Sequence, residues 1–330
     1  MEYTYLGRTG VKVSRLCLGT MNFGPNTEEK EAFRIMDCAI DHGVNFFDTA
    51  NMYGGRNGGK RGWTEEIIGR WFRLGGGRRE RVILATKIFE PMDDLLDGPN
   101  DEQGLSAWKI RRHTEGCLRR LQTDHVELLY MHNPPPHAEW AEIWPAFERL
   151  TAEGKIDYAA GRNFAAYQAA LAQASAKERH FMGLVANQNK YNLLSRLPEI
   201  ELIPASMEMG LAFLPWSPLQ GGMLSGSVLK NMQSGQRSGK YAGKLSPAQM
   251  TQLKMYHQLC LELGQDEATV SMAWLLNRPG VTAPLVGPRT QAQLMDSLKV
   301  MDWLLPQDAA EKIEAIFPGP GGSAPQVYMH

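Results

Sequence analysis

Eight short aliphatic segments, each followed by a longer segment of helical periodicity, constrain the fold of this chain more than any other feature of its sequence. The eight segments are mainly apolar and do not alternate with polar residues, which is typical of parallel strands that are covered on both faces. They are Arg15–Gly19, Val44–Asp48, Val82–Thr86, Val126–Met131, Ile156–Gly161, Gly183–Gln188, Leu211–Trp216 and Val281–Val286. Eight strand-then-helix units in succession predict a closed (β/α)8 TIM barrel more than an open doubly wound sheet.

The segments between the predicted strands carry helix-end signals. Gly43 follows a helical pattern at Glu28–His42, in the position that a left-handed cap takes. Thr64 precedes two glutamates and is predicted to cap a helix at Thr64–Leu74. Ser246-Pro247-Ala248-Gln249 combines a cap, a first-turn proline and a capping-box glutamine. Further helices are predicted at Ser106–Leu121, Glu139–Glu153, Ala165–Lys177 and Thr290–Val300.

Two segments lie outside the repeat. Tyr3–Val13, with Arg8-Thr9-Gly10 at its centre, is predicted to form a β-hairpin that plugs the bottom of the barrel. Leu219–Leu245, after the seventh strand, is rich in Gly, Ser and Lys and is too long for an ordinary connection, which favours a functional loop or lid. A barrel commonly fills a chain of 330 residues, so we expect residues 1–330 to form a single domain.

The composition excludes several classes of function. A formal net charge of -1 gives no electrostatic reason to expect a nucleic acid or a membrane surface as partner. The four cysteines, Cys17, Cys38, Cys117 and Cys260, are far apart and predict neither a disulfide framework nor a metal site. The first residues lack the apolar core of a signal peptide, and no apolar run reaches the length of a membrane span. The expected compartment is the cytoplasm.

Four chemically different side chains fall at the ends of the predicted strands. Asp48 ends the second strand and Tyr53 follows it, Lys87 follows the third, and His132 follows the fourth. In a barrel of this class the loops after the strands form the active site. An acid, a phenol, an amine and an imidazole are therefore expected to meet on one rim. The structural alternatives for each residue alone are a helix cap, packing or a solvated rim position.

These residue types suit the reduction of a carbonyl, which requires a hydride at carbon and a proton at oxygen. A phenol with a pKa of about 10 holds its proton at neutral pH but releases it poorly, and a neighbouring ammonium favours the phenolate. We therefore expect Tyr53 to be the general acid and Lys87 to tune it. Asp48 is expected to be the counter-ion of Lys87, and His132 to orient the carbonyl oxygen.

The chain resembles the aldo-keto reductases over nearly its full length. The resemblance rests on LGRTGVKVSRLCLGTMNFG, on GVNFFDTANMYG followed by TEEIIG, and on the segments around His132 and Gln188, FLPWSPLQGGMLSG and GPRTQAQL. It implies a (β/α)8 barrel, NADPH-dependent reduction of a small-molecule carbonyl substrate, and a catalytic set consisting of Asp48, Tyr53, Lys87 and His132. The motifs specify neither the substrate nor the oligomeric state.

The resemblance also assigns cofactor-binding positions. It implies that Asn163 and Gln188 bind the nicotinamide, whose ring stacks on Trp216. Further positions implied by the resemblance are Ser217, Leu219, Gly221 and Leu224 for the pyrophosphate, Gly287, Arg289, Gln293 and Ser297 for the adenosine end, and Gly19, Thr20 and Asp48. A guanidinium at Arg289 is suited to a 2′-phosphate and favours NADPH over NADH. Gln293 has a structural alternative, a capping box with Thr290.

Two positions depart from the family pattern. Arg162 stands where the family usually has a serine that helps to hold the nicotinamide amide, so three outcomes are open: Arg162 contacts a phosphate, turns outward, or weakens cofactor binding. Ser297 stands where many members have an asparagine near the adenine. Both departures bear on cofactor affinity more than on the fold.

Three functions are compatible with the sequence. The first is reduction of an aldehyde, ketone or keto-sugar to an alcohol. The second follows from a looser similarity of WSPLQGGMLSG and of the Ile-Phe-Pro-Gly-Pro-Gly-Gly ending to nucleotide-hexose 2,3-enoyl reductases of deoxysugar pathways. The third is a cofactor-sensing binding module, because within the family the chain looks most like the bacterial branch that also includes potassium-channel β-subunits. The complete Asp–Tyr–Lys–His set favours an enzyme.

Overall fold

Eight parallel strands form a barrel in the computed structural model, which describes residues 1–55, 59–99, 102–230 and 245–329. The strands in chain order are β1 (Tyr3–Tyr5), β2 (Lys12–Ser14), β3 (Cys17–Gly19), β4 (Phe46–Asp48), β5 (Ile83–Ile88), β6 (Val126–Met131), β7 (Ile156–Arg162), β8 (Leu184–Lys190), β9 (Ala212–Trp216) and β10 (Leu285–Val286). β3 to β9 are neighbours in sequence order, and β10 pairs with β3. The ring closes where Phe213 bridges Val281 and accepts a 2.9 Å hydrogen bond from the Thr282 amide. The predicted TIM barrel is confirmed.

Helices alternate with the strands. They are α1 (Glu29–Asp41), α2 (Trp63–Phe72), α3 (Ala107–Leu121), α4 (Trp140–Ala152), α5 (Ala166–Glu178), α6 (Leu202–Glu208), α7 (Ser227–Lys230), α8 (Pro247–Glu262), α9 (Glu267–Leu276), α10 (Gln291–Leu298) and α11 (Gln307–Ile316). In α1 the buried residues include Ala32, Ile35, Met36 and Ala39, a spacing of three, four and seven that places them on one face. This apolar face packs against the sheet, and its burial stabilises the helix. No helix in the described ranges is both long and apolar enough to cross a membrane.

Most predicted helix ends agree with the structure. The Ser106 hydroxyl accepts a hydrogen bond from the Lys109 amide, and Ser246 and Gln249 form the reciprocal capping box. Gly43 follows α1 with φ of 81°, the left-handed conformation that glycine tolerates. The prediction for Thr64 was wrong, because α2 begins one residue earlier, at Trp63. The Thr64 hydroxyl instead donates to the Phe23 carbonyl at 2.8 Å and ties α2 to the loop after β3.

The N-terminal hairpin closes the bottom of the barrel, as predicted. β1 and β2 pair antiparallel, and the hairpin contributes Leu6 and Val13 to the cluster that fills the barrel. The strands contribute Cys17, Phe46, Ala85, Leu128, Tyr130, Ala160, Ala186 and Leu214 to the same cluster. Gly7 has φ of 56°, and a Cβ atom there would lie 2.6 Å from the Val185 carbonyl oxygen. Only glycine lets the hairpin approach the strands this closely.

Two predicted segments differ from the structure. The eighth strand of the barrel has regular pairing only at Leu285–Val286, because Pro284 lacks the amide that a longer ladder needs. The segment predicted as a loop at Leu219–Leu245 begins with a 3-10 helix at Gln220–Ser225, followed by α7. Residues 231–244 of that prediction lie outside the described residues. Further 3-10 turns are Leu197–Glu199, Lys299–Asp302 and Gln326–Tyr328.

Candidate active site

The Lys87 ammonium lies at the centre of the barrel mouth. It is fully buried and donates hydrogen bonds to the Asp48 carboxylate, to the Thr49 carbonyl at 2.8 Å, and to the Tyr53 hydroxyl at 3.4 Å. Desolvating an ammonium is costly unless it is paired and hydrogen-bonded. The carboxylate and the carbonyl fulfil this requirement, and they hold the charge beside the phenol oxygen. The structure therefore brings together Asp48, Tyr53 and Lys87.

Asp48 is itself fixed by two neighbours. Its second carboxylate oxygen accepts a 2.8 Å hydrogen bond from Gln188 Nε2, so both oxygens have donors. Its main-chain carbonyl accepts hydrogen bonds from the Thr20 amide at 3.0 Å and from the Thr20 hydroxyl at 2.9 Å. Thr20 is fully buried, and these hydrogen bonds hold the end of β4 in place. Gln188 likewise contacts the ion pair directly.

The loop that carries Tyr53 is anchored on both sides. The Tyr53 amide donates to the Ala50 carbonyl at 3.1 Å, and its carbonyl accepts from the Thr64 amide at 3.4 Å. Gly54 follows with φ of 101°, and a Cβ atom there would lie 2.6 Å from Trp63 Cβ. The half-buried Tyr53 ring thus has a fixed starting point, and its hydroxyl faces the ammonium.

His132 lies next to the Tyr53 ring. Its amide donates to the Ile88 carbonyl at 3.0 Å, and the two rings are edge-on with centroids 6.1 Å apart and an interplanar angle of 85°. Only 5 % of His132 is exposed, so the imidazole borders the mouth without extending into solvent. The structure therefore places all four predicted catalytic side chains on one rim, at the carboxyl ends of β4, β5 and β6.

A second phenol lies below the first. The Lys87 ammonium is 5.0 Å from the centre of the Tyr53 ring and 5.3 Å from the centre of the Tyr130 ring. Burial, together with the charge of Asp48, raises the pKa of the Tyr130 phenol well above its ordinary value. Tyr130 is fully buried, whereas Tyr53 is open to the mouth. Of these two phenols, only Tyr53 is placed to meet a ligand.

The residues expected at a nicotinamide form a connected group. The Trp216 indole donates to Asn163 Oδ1 at 3.0 Å, and Asn163 Nδ2 donates to Asn133 Oδ1 at 2.9 Å. The Asn163 backbone is left-handed, with φ of 60°, and its main-chain amide donates to the Gln188 carbonyl at 3.0 Å. Asn163, Gln188 and Trp216 therefore line one side of the mouth.

The segment expected at the pyrophosphate turns sharply after β9. Ser217 and Gly221 have φ of 58° and 66°, so their backbones are left-handed. The Leu224 side chain is fully buried, and the Leu224 amide donates to the Leu219 carbonyl at 3.2 Å. Leu219 and Leu224 thus stabilise the turn, whose left-handed residues Ser217 and Gly221 lie at its start and in its middle.

The positions expected at the adenosine end lie just before α10 and along it. Arg289 is half-buried, and its main-chain amide donates to Gln293 Oε1 at 2.9 Å. Thr290 caps the helix through the Gln293 amide at 3.2 Å, so Gln293 shares in helix capping. The Ser297 hydroxyl donates to the Gln293 carbonyl at 2.9 Å. Gln293 and Ser297 therefore both take part in the structure of α10.

Two glycines connect this region to the rest of the rim. The Gly287 carbonyl accepts a 2.7 Å hydrogen bond from the Asn22 side chain, which links the start of α10 to the loop after β3. Gly19, at the end of β3, pairs in register with Asp48 in the barrel. The positions expected for the cofactor thus lie along the rim at the ends of β7, β8, β9, β10 and β3, with Asp48 at the end of β4.

A buried polar chain behind Tyr53 gave no sequence signal. Asn51, in the same loop as Tyr53, lies 3.3 Å from His113 Nδ1, and His113 Nε2 lies 3.2 Å from Asp97 Oδ1. Asp97 in turn accepts hydrogen bonds from the Met92 amide, at 2.9 and 2.7 Å. The loop after β4 is thereby joined through α3 to the loop after β5. His113 falls within a helical pattern that is amphipathic, and nothing in that pattern separates it from an ordinary helix residue.

We expect His113 to make stability fall in acid. Burial, with a smaller contribution from the Lys109 charge, lowers the pKa of His113 to about 4, below the unfolded value of 6.5. Between these values the unfolded chain binds a proton that the folded protein does not, so stability decreases as pH falls. The expected loss from pH 7 to pH 4.5 is about 2–3 kcal/mol. Urea unfolding of the protein and of His113→Gln at both pH values measures it. His137→Gln, at an exposed histidine, is the control. A loss of unfolding free energy between pH 7 and pH 4.5 that is as large in His113→Gln as in the unchanged protein would contradict the prediction.

The chain belongs to the aldo/keto reductase family, an oxidoreductase family whose profile matches residues 15–317. The (β/α)8 barrel and the residues on its rim are those expected of this family, and the comparison with known proteins agrees with this assignment. The chain is 54% identical to an uncharacterized oxidoreductase, YrpG, of Bacillus subtilis over 99% of both chains. It is 32% identical to a probable voltage-gated potassium channel subunit beta of Arabidopsis thaliana over 96% of both chains. It is 29% identical to a putative aryl-alcohol dehydrogenase of Schizosaccharomyces pombe over 94% of both chains.

Proposed function

We propose that this protein is an NADPH-dependent reductase that converts the carbonyl of an aldehyde, a ketone or a keto-sugar to an alcohol. The observation that carries the proposal is the 3.4 Å separation of Lys87 Nζ and Tyr53 OH, in a mouth where Asp48 fixes the lysine. A phenol that faces an ammonium and is open to a ligand is suited to donate a proton.

The described residues suit a dinucleotide. The half-buried Trp216 ring lies at the mouth with the Arg162 guanidinium over it, and the Arg289 guanidinium makes no side-chain hydrogen bond or ion pair in the described part of the chain. Asn163, Gln188 and Trp216 would hold the nicotinamide, the turn from Ser217 to Leu224 the pyrophosphate, and Arg289 the 2′-phosphate. When bound, reduced nicotinamide supplies a hydride to the carbonyl carbon.

The protein side chains supply the proton and the orientation. Tyr53 donates its hydroxyl proton to the carbonyl oxygen, and the Lys87 ammonium stabilises the phenolate that remains. Asp48 keeps Lys87 in place, because the carboxylate is the counter-ion of the buried ammonium. His132, beside the Tyr53 ring, donates to the same oxygen and fixes the direction from which the substrate meets Tyr53.

The proposal is tested by incubating the purified protein with NADPH and a panel of aldehydes, ketones, keto-sugars and conjugated enones. Loss of absorbance of the reduced nicotinamide with a carbonyl, and an alcohol as product, is the expected result. Turnover of enones alone would favour the alternative, enoyl reduction, which uses the same rim. Tight binding of NADPH without turnover of any compound would overturn the proposal in favour of a cofactor-sensing module.

We expect Arg289 to set the preference for NADPH. A guanidinium forms charge-assisted hydrogen bonds with phosphate oxygens, and NADH lacks that phosphate. Arg289→Gln should raise the Kd for NADPH by about 10–100-fold and change the Kd for NADH by less than about threefold. Quenching of tryptophan fluorescence measures both constants. Lys299→Gln, at the exposed far end of α10, is the control, and equal loss of affinity for the two cofactors in Arg289→Gln would contradict this role.

A further inference from the structure

The barrel mouth contains a cation outside the catalytic set. Arg162 ends β7, two residues after Ala160, whose side chain belongs to the cluster inside the barrel. Alternate residues of a strand share a face, so Arg162 extends into the mouth above Ala160. Its guanidinium lies over the Trp216 ring, with the central carbon 4.8 Å from the ring centre. The outward orientation that the sequence left open is therefore wrong.

Arg162 has an unused donor. Its Nε atom is buried and makes no hydrogen bond, and within the described ranges the structure gives its side chain no salt bridge. The stacking contact with Trp216 fixes the plane of the guanidinium without satisfying its hydrogen-bond donors. A buried donor without an acceptor is costly, so the unpaired Nε of Arg162 is suited to an acceptor supplied by a ligand.

A second cation ends the neighbouring strand. Lys190 ends β8, two residues after Gln188. Gln188 donates to Asp48 in the mouth. Alternate residues of a strand share a face, so Lys190 lies on the face of β8 that faces the mouth. Lys190 pairs in register with Trp216, and Gln188 with Arg162. In the described part of the chain the structure gives Lys190 no carboxylate partner either. The nearby Asp48 is already bound by Lys87 and Gln188.

We propose that Arg162 and Lys190 form a subsite for an anionic group, a phosphate or a carboxylate, carried by the substrate. The identity of the substrate as a carbonyl compound rests on the proposed reduction, whereas the binding of an anion at Arg162 and Lys190 does not. The position of the subsite favours the substrate over the phosphates of the cofactor as the source of the anion. Arg162 lies on the strand next to that of His132, whereas the positions proposed for the cofactor phosphates follow β9 and β10 on the far side of Trp216.

Matched substrates test the subsite. One pair is 4-carboxybenzaldehyde and benzaldehyde, and the other is glyceraldehyde 3-phosphate and glyceraldehyde. The protein should prefer an anionic member by about tenfold or more in kcat/KM, and Arg162→Gln should lower this ratio by about 10–100-fold. Lys190→Gln should lower it by about 3–10-fold, because an ammonium makes a less directional contact. The substrate pair with the larger ratio of kcat/KM, anionic over neutral, shows whether the subsite prefers a phosphate or a carboxylate.

The control for charge is Lys177→Gln, an exposed cation on α5 outside the barrel, which should leave the ratio unchanged. An unchanged ratio in Arg162→Gln overturns the proposal. So does an increase of about tenfold or more in the Kd for NADPH with an unchanged ratio, since Arg162 would then serve the cofactor.

A binding measurement separates the subsite from the proposed reaction. In the Arg289→Gln background, which lacks the guanidinium proposed for the cofactor 2′-phosphate, inorganic phosphate should raise the Tm relative to chloride at equal ionic strength, and Arg162→Gln should abolish the rise. If no carbonyl is reduced but phosphate still stabilises the protein through Arg162, the proposed function fails and the anion site stands. If phosphate stabilises the protein and Arg162→Gln equally, the anion site fails whatever the reaction.

Discussion

Tyr53→Phe is expected to abolish carbonyl reduction almost completely. The change removes only the hydroxyl that lies 3.4 Å from the Lys87 ammonium and leaves the ring, its contact with His132 and the anchored loop in place. General acid catalysis contributes about 10²–10⁴-fold to a rate, so kcat should fall by that factor. Steady-state oxidation of NADPH with the best carbonyl of the panel measures it.

Tyr130→Phe is the matched control. It removes the hydroxyl of a phenol whose ring also lies close to Lys87 but is fully buried beneath the mouth. We expect kcat to change by less than about fivefold, because Tyr130 does not reach a ligand. The Kd for NADPH should stay within about threefold of its original value in Tyr53→Phe, which shows that the fold and the cofactor site are intact. A Tyr53→Phe protein with nearly full kcat would contradict the assignment of the proton donor.

The sequence predicts the barrel and its rim because both depend on local pattern. Continuous apolar runs identify the strands, and the catalytic candidates stand within a few residues of the strand ends. Asp48, Lys87 and His132 could be placed on one rim without knowing a single distance, since parallel strands in a barrel end on the same side. The structure adds the contacts, such as that of Gln188 with Asp48, which join residues 140 positions apart.

Interactions between elements far apart in the sequence were beyond prediction. Glu65 fits the first turn of a helix, where an acid is favourable in solvent. In the structure it is fully buried and accepts hydrogen bonds from Thr86 at 2.6 Å and from Arg120 at 2.7 Å. Its partners lie 21 and 55 residues away, and periodicity carries no information about pairing at that range. The same holds for His113 with Asn51.

Arg162 illustrates the opposite case, in which the sequence identifies a residue but not its direction. The departure at this position was visible, and three outcomes were open. Its direction depends on the pleat of β7 and on the position of the Trp216 ring, which belongs to another strand. The pairing of β7 with β8 shifts between Ala159 and Ala160 and then stays in register through Arg162, which places Arg162 on the same face as Ala160.

Lys87→Met is expected to lose both stability and activity. It leaves the Asp48 carboxylate buried with a hydrogen bond from Gln188 but without its counter-ion. Breaking a buried ion pair in this way costs about 3–5 kcal/mol, and the free energy of unfolding in urea should fall by that amount. The rate should fall as well, because no ammonium remains to stabilise the Tyr53 phenolate.

The double variant Asp48→Asn with Lys87→Met separates the two effects. Both charges are now absent, and the asparagine that replaces the aspartate keeps a side-chain oxygen for Gln188, so stability should return to within about 1–2 kcal/mol of the unchanged protein. Activity should not return, because reduction needs the ammonium and not merely a neutral mouth. A double variant as unstable as Lys87→Met would show that the lysine stabilises the barrel by packing, and one that regains turnover would remove Lys87 from the proton-transfer step.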